Sequence, residues 1–558
     1  MLNGGTYTGR TARRRRAGAI GAAALAATLG LAACGSGDSG GGGGTASGED
    51  LECSVDAVAD QPWKASEPRE FSVLWTDWPD YPVTDSWQFF DEIEKRTNVK
   101  LNLTNIPFSD ATEKRSLLIS AGDAPQIIPL TYTGDERQFA ASGAVVPMSD
   151  YVDYMPNFQK YVEEWDLGDM IDNLRQADGK YYMVPGLQEV SVPVFTLIIR
   201  QDVFDEVGAP APETWEDLQT GLEMIKAKYP DSKPLADGFE GQSMINYAAH
   251  SFGTVGGWGF GTGAWYDEDA DEFVYAPTTE GYKQMVEYFN GLTEAGLLDT
   301  ESFTDSNDGG GTVTEKIAAE TVFAASGASG TVQEFATALD AAGVTDYELK
   351  QIAPPGGPAG MVVEPRNFWN GFMLTQDAVN DPNFCDLLQF TDWLYYNPEA
   401  RDMIQWGVEG ETYTKDGDTY TLNPEYTHKQ LNLNPSGTID IKKDLGFAND
   451  VFAGSTESRA LKESYNVPAF VEYIDSVLST RTPRDPFPRA PLDEAELEQS
   501  SLLATPLKDS VDTATLEFIL GQRDLSQWDS FLSQLEGQGL QQYMDLINGA
   551  RERAAEKG

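Results

Sequence analysis

Histidine and cysteine are nearly missing from this chain of 558 residues, which holds two of the first and three of the second. His250 and His428 lie far apart with no cysteine cluster beside either, so no zinc-site spacing exists. Basic residues are few as well, 39 against 89 acidic, for a formal charge of −50. That imbalance repels phosphate backbones and anionic lipid, and it excludes a nucleic-acid-binding protein. Only one long apolar run occurs, Ala17–Ala33, and without a second the chain is not an integral membrane protein. Internal repeats and nucleophile or metal motifs are absent, and Ser326-Gly327-Ala328-Ser329-Gly330 lacks the lysine of a phosphate-binding loop.

The apolar run reads as an export signal. Arg13 to Arg16 precede it, no acidic residue occurs before or within it, and its 17 residues fall short of the roughly 20 that span a bilayer. It ends in Leu31-Ala32-Ala33-Cys34, which resembles the bacterial lipobox, whose cysteine takes up a diacylglycerol group and becomes the new N-terminus. Gly35 to Gly48 follow, a Gly/Ser-rich stretch that behaves as flexible coil. The expectation is a signal peptide over 1–33, lipidation at Cys34 and a tether over 34–68. The protein then sits at the outer face of the cytoplasmic membrane through its lipid anchor only. The arginine run leaves the general and twin-arginine export routes both open. Losing residues 1–33 removes five arginines and no acid, leaving 34 basic residues against 89 acidic and a charge of −55. Pairing of Cys53 with Cys385 is open in an oxidising exterior, and closing so long a loop is worth roughly 5 kcal/mol in chain entropy.

About 490 residues of mixed composition, 11% aromatic over the whole chain, suffice for two lobes. Phe71–Trp75 reads as a buried strand and Thr84–Arg96 as a helix with Trp87, Phe90 and Ile93 on one face. Val99–Leu103 alternates as a second strand, Ala111–Ser120 reads as a helix, and Ile127–Leu130 as a third strand. This β-α-β-α-β order predicts a parallel sheet faced by helices. Asp178-Gly179 and Asp416-Gly417 each predict a hairpin, between Leu174 and Val184 and between Tyr413 and Tyr420. Val194–Arg200, apolar and β-rich, suits a crossing from one lobe to the other. Thr214 predicts an N-cap for a helix carrying Trp215, Leu218, Leu222 and Ile225, and Ser526 one for a helix carrying Trp528, Phe531, Leu532 and Leu535. Leu540, Tyr543 and Ile547 form a last helical stripe.

Several short segments carry a further signal through their order. They are Ser120 to Ile128, Asp178-Gly179-Lys180-Tyr181-Tyr182, and Arg200-Gln201-Asp202 leading to Pro212-Glu213-Thr214-Trp215. Tyr288-Phe289-Asn290 with Gly296-Leu297-Leu298-Asp299 follow, then Trp406 to Tyr413 after Asn397-Pro398-Glu399-Ala400-Arg401. Together, over nearly all of the exported chain, they resemble the extracellular solute-binding proteins of family 1, in particular the long-chain lipoproteins that serve oligosaccharide importers. The resemblance implies an α/β protein of the two-lobe periplasmic-binding-protein type II fold, with a hinge and a central ligand cleft. It implies an N-terminal lobe of residues 69–193 and 362–408 and a C-terminal lobe of 194–361 and 409–558. A ligand touching both lobes would bias the hinge toward closure. Several relatives carry a calcium loop after the helix that matches Trp215–Ala227, but Tyr229-Pro230-Asp231-Ser232-Lys233-Pro234 stands there in this chain, so no metal and no cofactor is carried over. Asp267, Asp269 and Asp271 also fail as a calcium loop, because Glu272 replaces the turn glycine and Thr278 the closing glutamate; they read as a solvated hairpin tip.

A sugar presents hydroxyls around a ring with mildly apolar C–H faces, so its site needs aromatic platforms plus side chains that donate and accept. Trp75, Asp77 and Trp78 leave the first strand at its carboxyl end, where clefts lie in such sheets. Core and ligand readings balance for Trp75, while the Pro79 turn exposes Asp77 and Trp78. Trp258 in Gly256-Gly257-Trp258-Gly259, nearby Trp265, and Arg366, Trp369 and Asn370 sit in segments too polar or glycine-rich for good core. Trp406 and Glu409 belong to the segment that carries the resemblance most sharply, a segment that equally suits a packing corner. A charge of −55 favours an uncharged or weakly charged ligand, although screening beyond about 8 Å lets a local arginine such as Arg366 override it.

The expected function is capture of a carbohydrate, an oligosaccharide, outside the cell and delivery to the permease subunits of an ABC importer, by a monomer without catalysis. Two alternatives stand beside it. One is a secreted glycoside hydrolase, whose chemistry needs only aromatic subsites and two carboxylates. The other is the same receptor fold holding a peptide or another polar solute.

Overall fold

The computed structural model describes Cys53, residues 57–304 and residues 311–557; the signal segment, Cys34 and the start of the tether lie outside the described residues. Strands β1 (Arg69–Asp77), β2 (Val99–Pro107), β3 (Ile127–Thr131) and β4 (Val184–Leu187) come before the first crossing. Beyond it lie β5 (Thr196–Arg200), β6 (Leu235–Ala236), β7 (Ala264–Asp267), β8 (Glu272–Tyr275), β9 (Ala324–Gly327) and β10 (Leu349–Gln351). Strands β11 (Val362–Val363) and β12 (Phe368–Leu374) bring the chain back.

The first sheet has the order β2-β1-β3-β12-β4, with β1 parallel to β2 and β3, and β12 antiparallel between β3 and β4. The second has the order β10-β5-β9-β6, with β9 antiparallel to β5 and parallel to β6. Both faces of the first sheet are covered, as an α/β sheet requires. On β1 the two-residue period sends Phe71, Val73 and Trp75 into one core, while Leu74 joins Ile106, Ile128 and Met373 in the core on the other face. The second sheet has its own core, to which Leu197, Ile199, Leu235 and Phe323 contribute together with C-terminal residues such as Phe518, Phe531 and Tyr543.

Three segments join the lobes, residues 188–195, 352–367 and 481–493. The helix Pro468–Thr480 packs Phe470, Tyr473, Ile474 and Val477 on Val190, Val192 and Ala353, so it rests on the first two crossings at once. The Tyr473 hydroxyl donates to the Pro193 carbonyl at 2.7 Å, and Arg481 Nε donates to the Pro354 carbonyl at 2.6 Å. Thr482–Pro483 then pairs in parallel with β11, fastening the third crossing to the second.

The lobe boundaries read from the sequence need two corrections. Residues 409–461 were expected in the C-terminal lobe, yet Tyr413, Leu422, Ile441, Phe447, Phe452 and Leu461 lie in the core of the first sheet. Phe452 sets this choice by packing on Trp75 at 5.8 Å and Phe89 at 6.1 Å. The expected tether is also too long. Ala57, Trp63 and Ala65 are buried in the same core, Trp63 Nε1 donates to Gln389 at 2.8 Å, and Cys53 is disulfide-bonded to Cys385 with Cα atoms 5.6 Å apart.

Local expectations fared unevenly. Thr214 caps its helix through a reciprocal box with Asp217, and Asp416-Gly417 turns a hairpin of Tyr413–Asp416 with Thr419–Leu422. Asp178-Gly179 forms a tight turn, Gly179 N–H to Gln176 carbonyl at 2.9 Å, without paired strands on its flanks. The first helix spans Gln88–Thr97 and starts later than Thr84, because Trp87 is still extended and buried under Gly446. Near residue 526 the capping acceptor is Asp524, which receives the Ser526 N–H at 2.8 Å.

Candidate functional site

The carboxyl ends of β1 and β3 and the amino end of β12 share one edge of the first sheet, since Gly371 of β12 pairs with Thr131 of β3. Beyond that edge Tyr132 meets the ring of Trp369 edge to face, centroids 5.6 Å apart at 82°. Arg366 lies over the Trp369 ring at 4.5 Å, and its own backbone N–H donates to Ser191 Oγ of the first crossing at 2.7 Å. Asn370 is buried and reaches the Tyr132 hydroxyl at 3.4 Å. The Arg366 Nε is buried with no partner among the described residues, a donor left for a ligand or water.

On the second lobe the matching edge holds Phe195, which precedes β5, and Phe239, which follows β6. Trp258 packs edge-on against both, at 5.0 Å and 5.2 Å, and remains 48% exposed. Its loop can lie against the helix Gln242–Ser251 only because its neighbours are glycines. A Cβ at Gly257, whose φ is +54°, would stand 2.1 Å from the Gln242 carbonyl, and one at Gly259 would stand 2.2 Å from Asn246 Oδ1. Phe239 is oriented from below by Asp237, a buried carboxyl that accepts from the Phe239 N–H, Ser243 Oγ and the Met244 N–H. Burial raises the Asp237 pKa from its ordinary value against these hydrogen bonds.

Between the lobes a cavity of about 180 Å³ is lined by Arg366, Trp369 and Gln188 from one side and Val194 and Ser329 from the other. Complete ligand sites measure roughly 300–1,000 Å³, so this cavity is smaller than such a site. The carboxylate on its wall, Glu457, already accepts from the Tyr465 hydroxyl and lies 3.4 Å from Lys462 Nζ.

The remaining candidates fall outside this arrangement. Trp75 is a core residue, 1% exposed and ringed by Trp87, Phe89, Phe90 and Phe452, which corrects its reading as a platform. Trp406 is corrected likewise: it is buried, stacks on Tyr420 at 5.3 Å and donates Nε1 to Ser464 Oγ, with Glu409 exposed at the same corner. Trp78 is half-buried and stacks on Phe108 at 5.3 Å, beyond the ends of β1 and β2, while Asp77 accepts the Val83 N–H and closes the turn that holds it. Trp265 lines a separate cavity with Asp267, Glu268, Asp269 and Arg484. Asp267 accepts the N–H groups of Asp269 and Ala270 at the tip of the β7–β8 hairpin, and Asp271 pairs with Arg551. No group of three metal-ligating side chains comes together among the described residues.

Sequence reasoning missed Tyr132, Phe195 and Phe239. Tyr132 follows the carboxyl end of a strand just as Trp78 does, so the rule that selected Trp78 applies to it equally. Phe195 and Phe239 had no such signal.

Two α/β lobes with a site at the strand ends between them, joined by three crossings, define a bilobal binding protein of the periplasmic type. The chain belongs to the bacterial extracellular solute-binding proteins, whose family model matches residues 88–385. It is 23% identical over 483 residues to the fructooligosaccharide ABC transporter substrate-binding protein FusA of Streptococcus pneumoniae serotype 4, covering 81% of this chain and 84% of that one. It is 22% identical over 478 residues to the polygalacturonan/rhamnogalacturonan-binding protein YtcQ of Bacillus subtilis, covering 82% and 88%. Among solved structures, the alginate-binding protein AlgQ2 without calcium superposes with a TM-score of 0.67 at 17% identity, over 88% of this chain and all of that one. FusA in complex with kestose superposes with a TM-score of 0.61 at 21% identity, also over 88% of this chain and all of that one.

Proposed function

We propose that this chain captures an oligosaccharide outside the cell and delivers it to the permease of an ABC importer. The observation that carries the proposal is the pair of aromatic sets on either side of the crossings, Tyr132 with Trp369 and Arg366 on one lobe and Phe195 with Phe239 and Trp258 on the other. Ring faces suit the C–H faces of sugars, and Arg366, Asn370 and Gln188 bring donors and acceptors for hydroxyls. A ligand touching both sets draws the lobes together, and the closed form is what a permease can distinguish from the empty one. The relatives named above bear carbohydrate ligands in their names. Glycoside hydrolysis needs two carboxylates at the bond to be broken, whereas the cavity under Trp369 holds Glu457, already engaged by Tyr465 and Lys462.

The same reading makes the protein a monomeric lipoprotein at the outer face of the cytoplasmic membrane, anchored through Cys34. Titration calorimetry of the exported chain against kestose, trigalacturonate and an alginate trisaccharide, with product analysis and small-angle scattering, tests capture. The expected result is a heat of binding for at least one sugar, an unchanged sugar afterwards and a smaller radius of gyration. Cleavage of the sugar, or no binding to any of the three, counts against it. For the anchor, Cys34→Ala should leave the protein in the medium or unprocessed. A variant that stays on the membrane with its signal removed refutes lipidation at that residue.

A further inference from the structure

A second cavity between the lobes carries a charge opposite to that of the chain. It encloses about 250 Å³ and is lined by Arg137, Arg175 and Arg489, with no aspartate or glutamate in its wall. Acidic residues outnumber basic ones 89 to 39 in this chain, so three arginines without a carboxylate are not a sample of its ordinary surface. The neighbouring cavity, which shares Asn173, Phe487 and Pro488 with it, is mainly acidic and bears Asp267, Glu268, Asp269 and Asp485 beside Arg484.

Two of the three arginines have no partner to hold. Arg175 is committed, donating Nε to Asp172 and Nη1 to the Gly179 carbonyl, both at 2.9 Å. Arg137 and Arg489 make no ion pair or hydrogen bond through their guanidinium groups among the described residues. Glu136, beside Arg137 in sequence, is buried and accepts from the Gly134 N–H and the Gln176 amide; the charge of Arg137 acts on its carboxyl without a hydrogen bond between them. A guanidinium is a fork of fixed donors matched to carboxylates, and exposed Arg137 and half-buried Arg489 both keep theirs unbonded in the lining of one cavity.

The walls come from both lobes. Arg137 follows β3, and Arg489 lies on the third crossing. Tyr543, from the C-terminal helix, donates its hydroxyl to the Thr262 carbonyl at 2.8 Å and feels the charge of Arg137 from across the cavity. In sequence the cavity's walls follow closely on the aromatic residues of each lobe. Arg137 comes five residues after Tyr132, past a turn in which Asp135 accepts the Tyr132 N–H, and Thr262 comes four residues after Trp258.

We propose that this cavity is an anion subsite of the ligand groove, which takes a carboxylate carried by an acidic oligosaccharide between Arg137 and Arg489. The proposal rests on the oligosaccharide-receptor reading and narrows it. It also reverses the preference for a neutral ligand suggested by net charge. The long-range field of the acidic surface is screened beyond about 8 Å at physiological ionic strength, while two guanidinium forks in contact with a carboxylate are not.

Calorimetry of the exported chain with trigalacturonate, its full methyl ester and kestose, on the unaltered protein and on Arg137→Gln and Arg489→Gln, tests it. The expected result is that the acid binds, its ester binds at least about tenfold more weakly, and each substitution weakens the acid by about tenfold or more while leaving the ester unchanged. Neither arginine holds up the fold, and the ester comparison on the unaltered protein reads the subsite without any substitution. Equal binding of acid and ester, or substitutions without effect on the acid, overturns the anion subsite and leaves oligosaccharide capture standing. Binding of kestose alone does the same. Binding of none of the three overturns both readings.

Discussion

The guanidinium of Arg366 lies 4.5 Å from the ring centre of Trp369, three residues ahead of it, while Tyr132 meets the same ring edge-on at 5.6 Å. Trp369 is thus held on two sides and stays partly exposed. Arg366 is in turn tied by its N–H to Ser191 on the first crossing, so the platform is coupled to the segments about which the lobes move. One lost stacking platform is worth about 1–3 kcal/mol, so Trp369→Ala should weaken oligosaccharide binding between several-fold and about a hundredfold. Its melting temperature should move little. Calorimetry beside a thermal melt checks this, and a variant that keeps full affinity removes Trp369 from the site.

Trp258 and Trp75 should separate platform from core. Trp75 is 1% exposed among four aromatic rings, and truncating a buried tryptophan costs about 3–5 kcal/mol. Trp258 is 48% exposed, so Trp258→Ala should cost about 1 kcal/mol or less in stability and show its effect in affinity. Urea unfolding of both variants decides. A Trp258→Ala protein destabilised as strongly as Trp75→Ala would make Trp258 a packing residue.

Much of this division was legible in the chain and went unused. Phe71–Trp75 reads as a buried strand, and a strand covered on both faces buries Trp75 along with Phe71 and Val73, so that reading already favoured the core for Trp75. The glycines around Trp258 were a sound signal, because an exposed ring on a loop pressed against a helix needs neighbours without Cβ. The aromatic set of the second lobe was not legible. Phe195, Phe239 and Trp258 are brought together by the order of β5, β9 and β6, a long-range pairing that no local pattern encodes. Residues 409–461 were misassigned for a similar reason. They add no strand to either large sheet and belong to the first lobe through aromatic contacts such as that of Phe452 with Phe89. The arginine cavity likewise depends on Arg137 and Arg489, which lie far apart in sequence, reaching one space.

The disulfide between Cys53 and Cys385 should matter for stability although it lies near the start of the described chain. Ala57, Trp63 and Ala65 lie in the first core, with Trp63 bonded to Gln389, so the bridge ties Cys53 to the helix Phe384–Tyr396 close to where the chain enters that core. A native disulfide of this kind typically contributes about 2–5 kcal/mol. Replacing Cys53 and Cys385 by serine should lower the unfolding free energy by that amount and leave ligand affinity intact, as chemical denaturation and calorimetry would report. Unchanged stability would mean that Ala57, Trp63 and Ala65 hold to the core without the bridge.

Asp392 should give the unfolding free energy a pH dependence of its own. Its carboxyl is buried in the first core and accepts the Asn157 N–H at 3.0 Å, the Asn157 amide at 2.7 Å and the Phe158 N–H at 2.9 Å, all at the start of the helix Pro156–Glu164. These donors favour the ionised form, but burial outweighs them and pushes the pKa up to about 7. Between the unfolded value near 4 and the folded value, the native state keeps a proton that the unfolded state has lost. Stability from this group is therefore complete at low pH and declines as pH rises toward 7, by about 1.4 kcal/mol per unit. The two histidines act in the opposite sense. Burial depresses His250 to about 4 and His428 to about 3, so their contribution is present above the unfolded value near 6.5 and is lost as pH falls below it. Because the signs oppose, the profile of the unaltered protein mixes them, and the informative quantity is its difference from Asp392→Asn. That difference should shift by about 3 kcal/mol between pH 4 and pH 7, in favour of the asparagine variant at the higher pH. Whatever fixed cost asparagine incurs with three N–H donors cancels, since it does not titrate. Urea unfolding of both proteins across this range measures the shift, and a difference independent of pH would mean that the three donors keep Asp392 ionised in the fold.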